Sequence, residues 1–406
     1  TDNCTATVTV EDNIDPTAVC QNITVQLDAN GDLTIVAADI DGGSSDNCGV
    51  PTLTIDGGNT SQAFDCSNVG ANTVTLTVTD VNGNVSTCDA TVTVEDNVAP
   101  TAVCQNITVQ LDGAGGLTIT AAEIDNGSSD ACGIATLEID GGNASQDFDC
   151  SDVGSTTVTL TVTDVNGNVS TCDATVTIED NVDPSAACQN ITVQLDASGN
   201  ASVNTADIDF GSTDNCGIAT ITLDGGASSL NFDCTDVGVQ TVTLTVTDVN
   251  GNVSTCTADV TVEDNVDPTA LCQNITIQLD AAGNASINTA DIDFGSTDNC
   301  GIASITLDGG ASSLNFDCSD VGVQTVTLTV IDVNGNVSTC TADVTVEDNI
   351  DPTALCQNIT IQLDAAGNAS VSTADIDFGS TDNCGIATIT LDGGAASLDF
   401  DCSDVG

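Results

Sequence analysis

The sequence predicts an all-β chain built from tandem repeats, and three observations carry that expectation. Apolar and polar residues alternate with period two: over 73–79, Val74, Leu76 and Val78 face one way and Thr73, Thr75, Thr77 and Thr79 the other, as in a half-buried strand. The run TDVNGNVSTC at Thr79 returns at Thr163 and Thr247, and as IDVNGNVSTC at Ile331, always by the same step. The cysteines keep that step, Cys20, Cys48, Cys66 and Cys88 recurring as Cys104, Cys132, Cys150 and Cys172. Domain count therefore follows from the period. Repeats are expected over 16–99, 100–183, 184–267 and 268–351, with an incomplete one over 352–406. Residues 1–15 read as the last strand of a preceding repeat, because Cys4 aligns with Cys88, and the chain reads as a window on a longer array.

Within one repeat the elements follow in order. After Pro16, the run Cys20–Leu27 changes phase between Cys20 and Ile23, so a bulge is expected to carry the first strand from one sheet to the other. Asp28-Ala29-Asn30-Gly31 is a turn, and Leu33, Ile35 and Ala37 form the next inward set. Residues 39–48 (DIDGGSSDNC) are too polar and Gly-rich for a strand and are expected to be a loop. Leu53 and Ile55 begin another strand, stopped by Asp56-Gly57-Gly58. Phe64 recurs as Phe148, Phe232, Phe316 and Phe400 and is expected to plug the core. The closing hairpin sets its own register. A two-residue turn at Asn82-Gly83 would put the apolar sets of its strands on opposite faces. A three-residue loop, Val81-Asn82-Gly83 with Gly83 left-handed, instead pairs Val78 with Ser86, Leu76 with Cys88 and Val74 with Ala90, aiming Cys88 inward. Short strands, at most seven per repeat, with turns between them and no helical period predict immunoglobulin-like β-sandwich domains arranged end to end.

Composition narrows the function. There is no Lys, Arg or His against 61 acidic residues, a formal charge of −61 and a pI near 4.1. Self-repulsion on that scale opposes compaction, yet the chain is 40% hydrophobic and strictly periodic, so something from solution must neutralise it. With no basic patch to meet phosphate, nucleic acid and anionic membrane surfaces are poor partners. No apolar run is long enough for membrane insertion, and no signal peptide stands at residue 1, as in a mature or truncated extracellular segment. The 20 cysteines are isolated rather than in C-x-x-C pairs, which favours disulfides in an oxidising compartment over zinc. Four cysteines per repeat allow three pairings. Cys20 opens the first strand and Cys88 the last, at one pole of a sandwich, which favours Cys20–Cys88 and hence Cys104–Cys172, Cys188–Cys256 and Cys272–Cys340. That leaves Cys48–Cys66, Cys132–Cys150, Cys216–Cys234, Cys300–Cys318 and Cys384–Cys402, with Cys4 and Cys356 unpartnered.

The run FDCSNVGANTVTLTVTDVNGNVSTC, followed by VEDN, a proline and another Cys, with DNCG upstream, resembles the hyalin-repeat type of immunoglobulin-like domain. The resemblance spans essentially every residue of every repeat, and the Asp-x-x-Gly-Asn turn before a Cys is its most specific mark. It implies a role in extracellular adhesion or structure without one defined ligand, and such repeats are common in large bacterial surface and secreted proteins. Family members tend to hold the cysteines matching Cys20 and Cys88 together, in support of that pairing. The absence of Lys, Arg, Tyr and Trp departs from the family.

Catalysis is not expected: no His or Lys supplies a tuned base, and the carboxylates that might cleave a glycoside recur identically with no aromatic platform for a sugar. The outward Thr rows are read as strand propensity, and the Asn-x-Ser/Thr sequons at Asn22, Asn84, Asn106 and Asn168 as matches expected in so Thr- and Ser-rich a chain. The acidic clusters are more informative. The linker residues Glu95 and Asp96 are expected to meet loops of the next repeat that carry Asp125, Asp130, Asp164 and Asn166. Carboxylates and amide oxygens converging from three segments suit Ca²⁺. The same set recurs as Glu11, Asp12, Asp41, Asp46, Asp80 and Asn82; as Glu179, Asp180, Asp209, Asp214, Asp248 and Asn250; as Glu263, Asp264, Asp293, Asp298, Asp332 and Asn334; and as Glu347, Asp348, Asp377 and Asp382. The expected function is a non-enzymatic extracellular or cell-surface stalk, filament or adhesin shaft, held by disulfides and calcium and partnered by copies of itself or further repeats. The competing expectation is an adhesin whose repeats themselves bind a cell-surface or environmental ligand: a surface, a glycan or ice.

Overall fold

Alternation in the sequence becomes paired sheets in space. The computed structural model describes residues 3–406. The repeat over 100–183 stands for the others and holds β1 (Ile107–Gln110), β2 (Gly116–Thr120), α1 (Ala121–Ile124), β3 (Ile134–Ile139), β4 (Ser145–Asp149), β5 (Gly154–Asp164) and β6 (Val169–Glu179). One sheet has the order β1-β6-β5-β3, and β2 pairs with β4 in a second. Their apolar faces enclose Ile119, Ile139, Phe148, Val158, Leu160, Val162, Val176 and Ile178 in one core, the sandwich expected. Phe64, Phe148, Phe232 and Phe316 are all buried.

The hairpin takes the three-residue loop. Val78 lies opposite Ser86, Leu76 opposite Cys88 and Val74 opposite Ala90, and Gly83 has φ 101°. This register alone keeps both strands' apolar residues on the core side. The expected crossing from one sheet to the other is not seen: Thr101 and Cys104 make only single bridges, to Ser129 and Asp125 of a loop outside both sheets, after which β1 joins one sheet, parallel to β6 with Ile107 beside Val176. Asn106 bridges the gap by accepting the Thr175 N–H at 2.8 Å. The polar loop expected over 39–48 holds those bridges, preceded by one helical turn that strand periodicity did not reveal. In α1 its signal is a capping box: the Glu123 carboxylate accepts the Thr120 N–H at 2.6 Å and the turn buries Ile124.

The chain resolves into two compact units: residues up to Ser185 with Thr213–Ala219 and Thr247–Val253, and Ala186–Ser212, Thr220–Val246 and Ser254–Gly406. Two tips of the third repeat thus cluster with the repeat before it. Of the strand expected over 1–15, residues 1 and 2 lie outside the described residues, and the rest forms no strand, with Val8 82% exposed. In 352–406 the small sheet forms between Asn368–Ser372 and Ser397–Asp401. The run ITIQ, a strand at Ile275–Gln278, is not one at 359–362, where the sequence has no hairpin to pair with it.

Among the described residues eight disulfides form. Four are within repeats: Cys20–Cys88, Cys104–Cys172, Cys188–Cys256 and Cys272–Cys340. The expected Cys48–Cys66, Cys132–Cys150, Cys216–Cys234, Cys300–Cys318 and Cys384–Cys402 do not form. Cys66 instead joins Cys132, Cys150 joins Cys216, Cys234 joins Cys300 and Cys318 joins Cys384, each to the following repeat. The reason is polarity. Cys132 precedes β3, which starts beside the C-terminal end of β5, whereas Cys150 follows β4, which ends beside the start of β2. The two cysteines sit at opposite poles of one sandwich, each facing a neighbour. Cys4, Cys48, Cys356 and Cys402 are unpaired and exposed.

Candidate metal centre

Three joints gather acids from three segments each, and the Asp96 joint gathers Asp96 and Asp130 from two. At the third joint these are Asp180, just past β6; Asp214, in the loop preceding the next repeat's third strand; and Asp248, in the turn of its hairpin. One oxygen from each lies within 4.8 Å of the others. Local chemistry positions them. Asp248 Oδ1 accepts the N–H groups of Asn250, Gly251 and Asn252 at 2.9, 2.6 and 2.8 Å. The Asn252 side chain donates to Asp248 Oδ2 at 2.7 Å and to the linker carbonyls of Asp180 and Val182 at 3.0 and 3.3 Å. Asp214 Oδ2 accepts from Cys216 N and Gly217 N at 2.8 and 2.9 Å, so the ligand loop and the inter-repeat bridge are braced together. Asn215 donates from Nδ2 to Asp180 Oδ1 at 3.1 Å and to the Asp112 carbonyl at 3.2 Å.

What remains unsatisfied points to a ligand. Asp180 is only 5% exposed, yet its Oδ2 is buried with no partner, as are Asp214 Oδ1 and Asn215 Oδ1. The pattern repeats with Asp264, Asp298, Asn299 and Asp332, with Asp12, Asp46 and Asp80, and, without a hairpin acid in the sequence, with Asp382 and Asn383 beside Asp348. Burying a charged oxygen without a partner costs several kcal/mol, and the chain has no side-chain cation to relieve it. The donors are all oxygen, which suits a hard cation such as Ca²⁺. The sulfur near Asp96 and Asp130 belongs to Cys132, which is bonded to Cys66 and offers no thiolate. Burial raises the carboxyls of Asp164 and Asp248, but the Asn168 and Asn252 side chains and the turn amides outweigh it and hold them below the usual range. They stay ionised at neutral pH.

The expected ligand sets divide. Asp12, Asp46, Asp80, Asp96, Asp130, Asp180, Asp214, Asp248, Asp264, Asp298 and Asp332 fall in the clusters, and Asp164 is tied to the Asp96 linker through Asn168. Glu95, Glu179, Glu263 and Glu347 turn away to accept from Gln26, Gln110, Gln194 and Gln278 of their own repeats, and Glu11 is exposed. Asp41, Asp125, Asp209, Asp293 and Asp377 cap their own loops through Ser44, Ser128, Ser212, Ser296 and Ser380. Asn82, Asn166, Asn250 and Asn334 serve the hairpin turn through their N–H groups, although Asn334 Oδ1 is also buried and unpartnered. Sequence reading missed the bridging Asn215, Asn299 and Asn383, whose signal is the amide beside Asp in DNCG. It also missed Phe210, Phe294 and Phe378, 69%, 67% and 67% exposed, whose signal is an aromatic in a Gly-rich polar loop.

No protein-family model matches the chain. Hyalin from Strongylocentrotus purpuratus is 28% identical over 363 residues, covering 85% of this chain and 29% of that protein. Hyalin from Lytechinus variegatus is 28% identical over 388 residues, covering 90% of this chain and 69% of that protein. The chain thus spans under a third of the first relative's length, and neither relative is bacterial. Among solved structures, Sidekick-1 immunoglobulin domains 1-5 match at 12% identity and a TM-score of 0.29, over 82% of this chain and 80% of that one. Protocadherin Gamma B7 cadherin domains 1-4 match at 12% and 0.28, over 73% and 92%. At such scores the fold rests on the strand order above. Among the described residues no helix is long and apolar enough to cross a membrane. Similar to hyalin in sequence, the chain is an extracellular array of disulfide-bonded, immunoglobulin-like β-sandwich repeats.

Proposed function

We propose that the chain is part of a non-enzymatic stalk, filament or adhesin shaft of hyalin-repeat type, whose joints are locked by Ca²⁺. One observation carries the reading: at joint after joint, buried carboxylate oxygens lack partners in a chain without Lys, Arg or His. The partners are further repeats, of this chain or of copies of it. A site held at a hundred times its dissociation constant adds about 2.7 kcal/mol, and because its ligands come from both repeats that energy resists bending. The test is imaging and melting of the array in calcium and in chelator. Chelation is expected to shorten the persistence length and lower Tm while each repeat keeps its fold; if neither changes, the calcium reading fails.

A second reading, repeats that themselves bind a surface, glycan or ice, draws on the exposed Phe210, Phe294 and Phe378. Replacing all three with Ala abolishes surface binding under that reading and leaves a pure shaft unaffected.

A further inference from the structure

The bridges between repeats overlap those within them. Cys66 opens its bridge to Cys132 before Cys20–Cys88 has closed, Cys104 opens before Cys132, and Cys150 before Cys172. The overlap continues to Cys318, which opens before Cys340 and closes at Cys384. Every peptide bond from Cys20 to Cys384 therefore lies inside at least one closed covalent loop. We propose that the disulfides make this array a doubly connected tether, which no single backbone cut between Cys20 and Cys384 can part, and whose stretch either class of bridge limits on its own.

The pairing expected from the sequence has neither property. With Cys20–Cys88 and Cys48–Cys66, residues 89–103 lie outside every loop, and one cut there parts the chain. Exposed turns such as Gly57-Gly58 and linker residues such as Asn97 are where proteases act on an extracellular protein, so the difference bears on how long the array lasts.

Extension follows from the same topology. By the within-repeat bridges, a pulled chain crosses from Cys104 to Cys172 through sulfur and then pays out only the backbone from Cys172 to Cys188. By the between-repeat bridges it crosses from Cys150 to Cys216 and pays out only the backbone from Cys216 to Cys234. At about 3.5 Å per residue, a fully pulled repeat reaches roughly 60 Å by the first route and roughly 70 Å by the second. Without bridges it reaches about 290 Å. Removing one class thus barely moves the limit; removing both releases it nearly fivefold.

The proposal borrows from the shaft reading only what the tether is for, and its test reads connectivity alone. The oxidised chain, with exposed Cys4, Cys48, Cys356 and Cys402 alkylated, is nicked by an acid-directed protease to about one cut per molecule, and the cuts are mapped. Molecules cut between Cys20 and Cys384 are expected to keep full mass unreduced. They should separate only when a dithiol gives two electrons to each bridge, leaving two thiols and itself oxidised. Release of a fragment without reductant after one such cut overturns the proposal. Single-molecule pulling supplies the second arm. A variant with every between-repeat cysteine changed to Ser should stop at about 60 Å per repeat, and the reduced wild-type chain at about 290 Å. A single-class variant that runs out to the reduced length overturns it equally. A double connection intact in an array indifferent to calcium sinks only the calcium-locked shaft.

Discussion

The joints at Asp96 and Asp180 share a scaffold and differ, among other positions, at the residue that bridges the two repeats. Both are stapled by a disulfide, Cys66–Cys132 and Cys150–Cys216, and in both a hairpin asparagine holds the linker carbonyls, Asn168 to Asp96 and Val98 at 3.0 and 3.2 Å as Asn252 does to Asp180 and Val182. At the Asp180 joint, Asn215 also reaches from the following repeat to Asp180 and to the Asp112 carbonyl. At the Asp96 joint, Ala131 stands in that place. Asp96 Oδ1 keeps only the Val98 N–H at 3.0 Å, and its close neighbours are Asp130 and the bonded sulfur of Cys132 rather than two further carboxylates. The scaffold therefore does not depend on the ligand set: the disulfide and the hairpin asparagine hold the linker at both joints, with or without the bridging amide.

Breaking the staples should separate the two joints most. Each closes a 66-residue span, worth about 4 kcal/mol by loop entropy. Cys66→Ser with Cys132→Ser should expose the linker at Asp96 to hydrogen exchange more than Cys150→Ser with Cys216→Ser exposes the linker at Asp180, where Asn215 still holds. Equal loss of protection would mean the amide adds nothing. Next in size is the ion. Asp180→Asn with Asp214→Asn should remove one calcium equivalent by titration calorimetry and about 2.7 kcal/mol of stabilisation at a hundredfold excess over the dissociation constant. Asp96→Asn with Asp130→Asn should remove less, the Asp96 cluster having one carboxylate fewer.

A smaller change sharpens the comparison from the other side. Ala131→Asn restores the missing amide, and a hydrogen bond of about 1 kcal/mol corresponds to a roughly fivefold gain in calcium affinity at the Asp96 joint. Asn215→Ala should give the opposite shift at the Asp180 joint. Smallest is the pH response of the hairpin turns. Asp164 and Asp248 are held below the ordinary carboxylate range when folded, so their contribution is complete above the unfolded value of about 3.9 and is lost as pH falls through the lowered value. Tm of the calcium-free protein should show this loss only below about pH 4, and Asp248→Asn should flatten it at one joint while leaving the turn at Asp164 unchanged.

Much of this was legible in the chain because it is local. The hairpin register follows from which loop length keeps Val78, Leu76 and Val74 on the face of Ala90, Val92 and Val94, and the within-repeat bridge was favoured, among three pairings, because Cys20 and Cys88 open strands at one pole. The ligand set was half legible. Linker, loop and hairpin acids were identified, but nothing in a list of acids tells Asp130, whose Oδ1 accepts the Cys132 N–H at 2.8 Å beside the linker, from Asp125, which spends its oxygens on Ser128 and Gly127 at 3.0 and 3.3 Å. Glu95 neighbours Asp96 in the chain and is equally acidic, but its Oε2 accepts from Gln26 at 2.7 Å.

By itself, then, the sequence determined the period, the hairpin register and the uncompensated negative charge, because each depends on residues a few positions apart or on total charge. Tertiary structure alone decided how the second pair of cysteines is joined. Cys132 and Cys150 are consecutive cysteines in the chain, and that nearness suggests a bond. But β3 and β4 carry them to opposite ends of a sandwich, where the partner within reach of Cys150 is Cys216 of the next repeat, its Cα 5.3 Å away. A disulfide needs its Cα atoms within about 7 Å, and only the folded repeat decides which pair meets that condition.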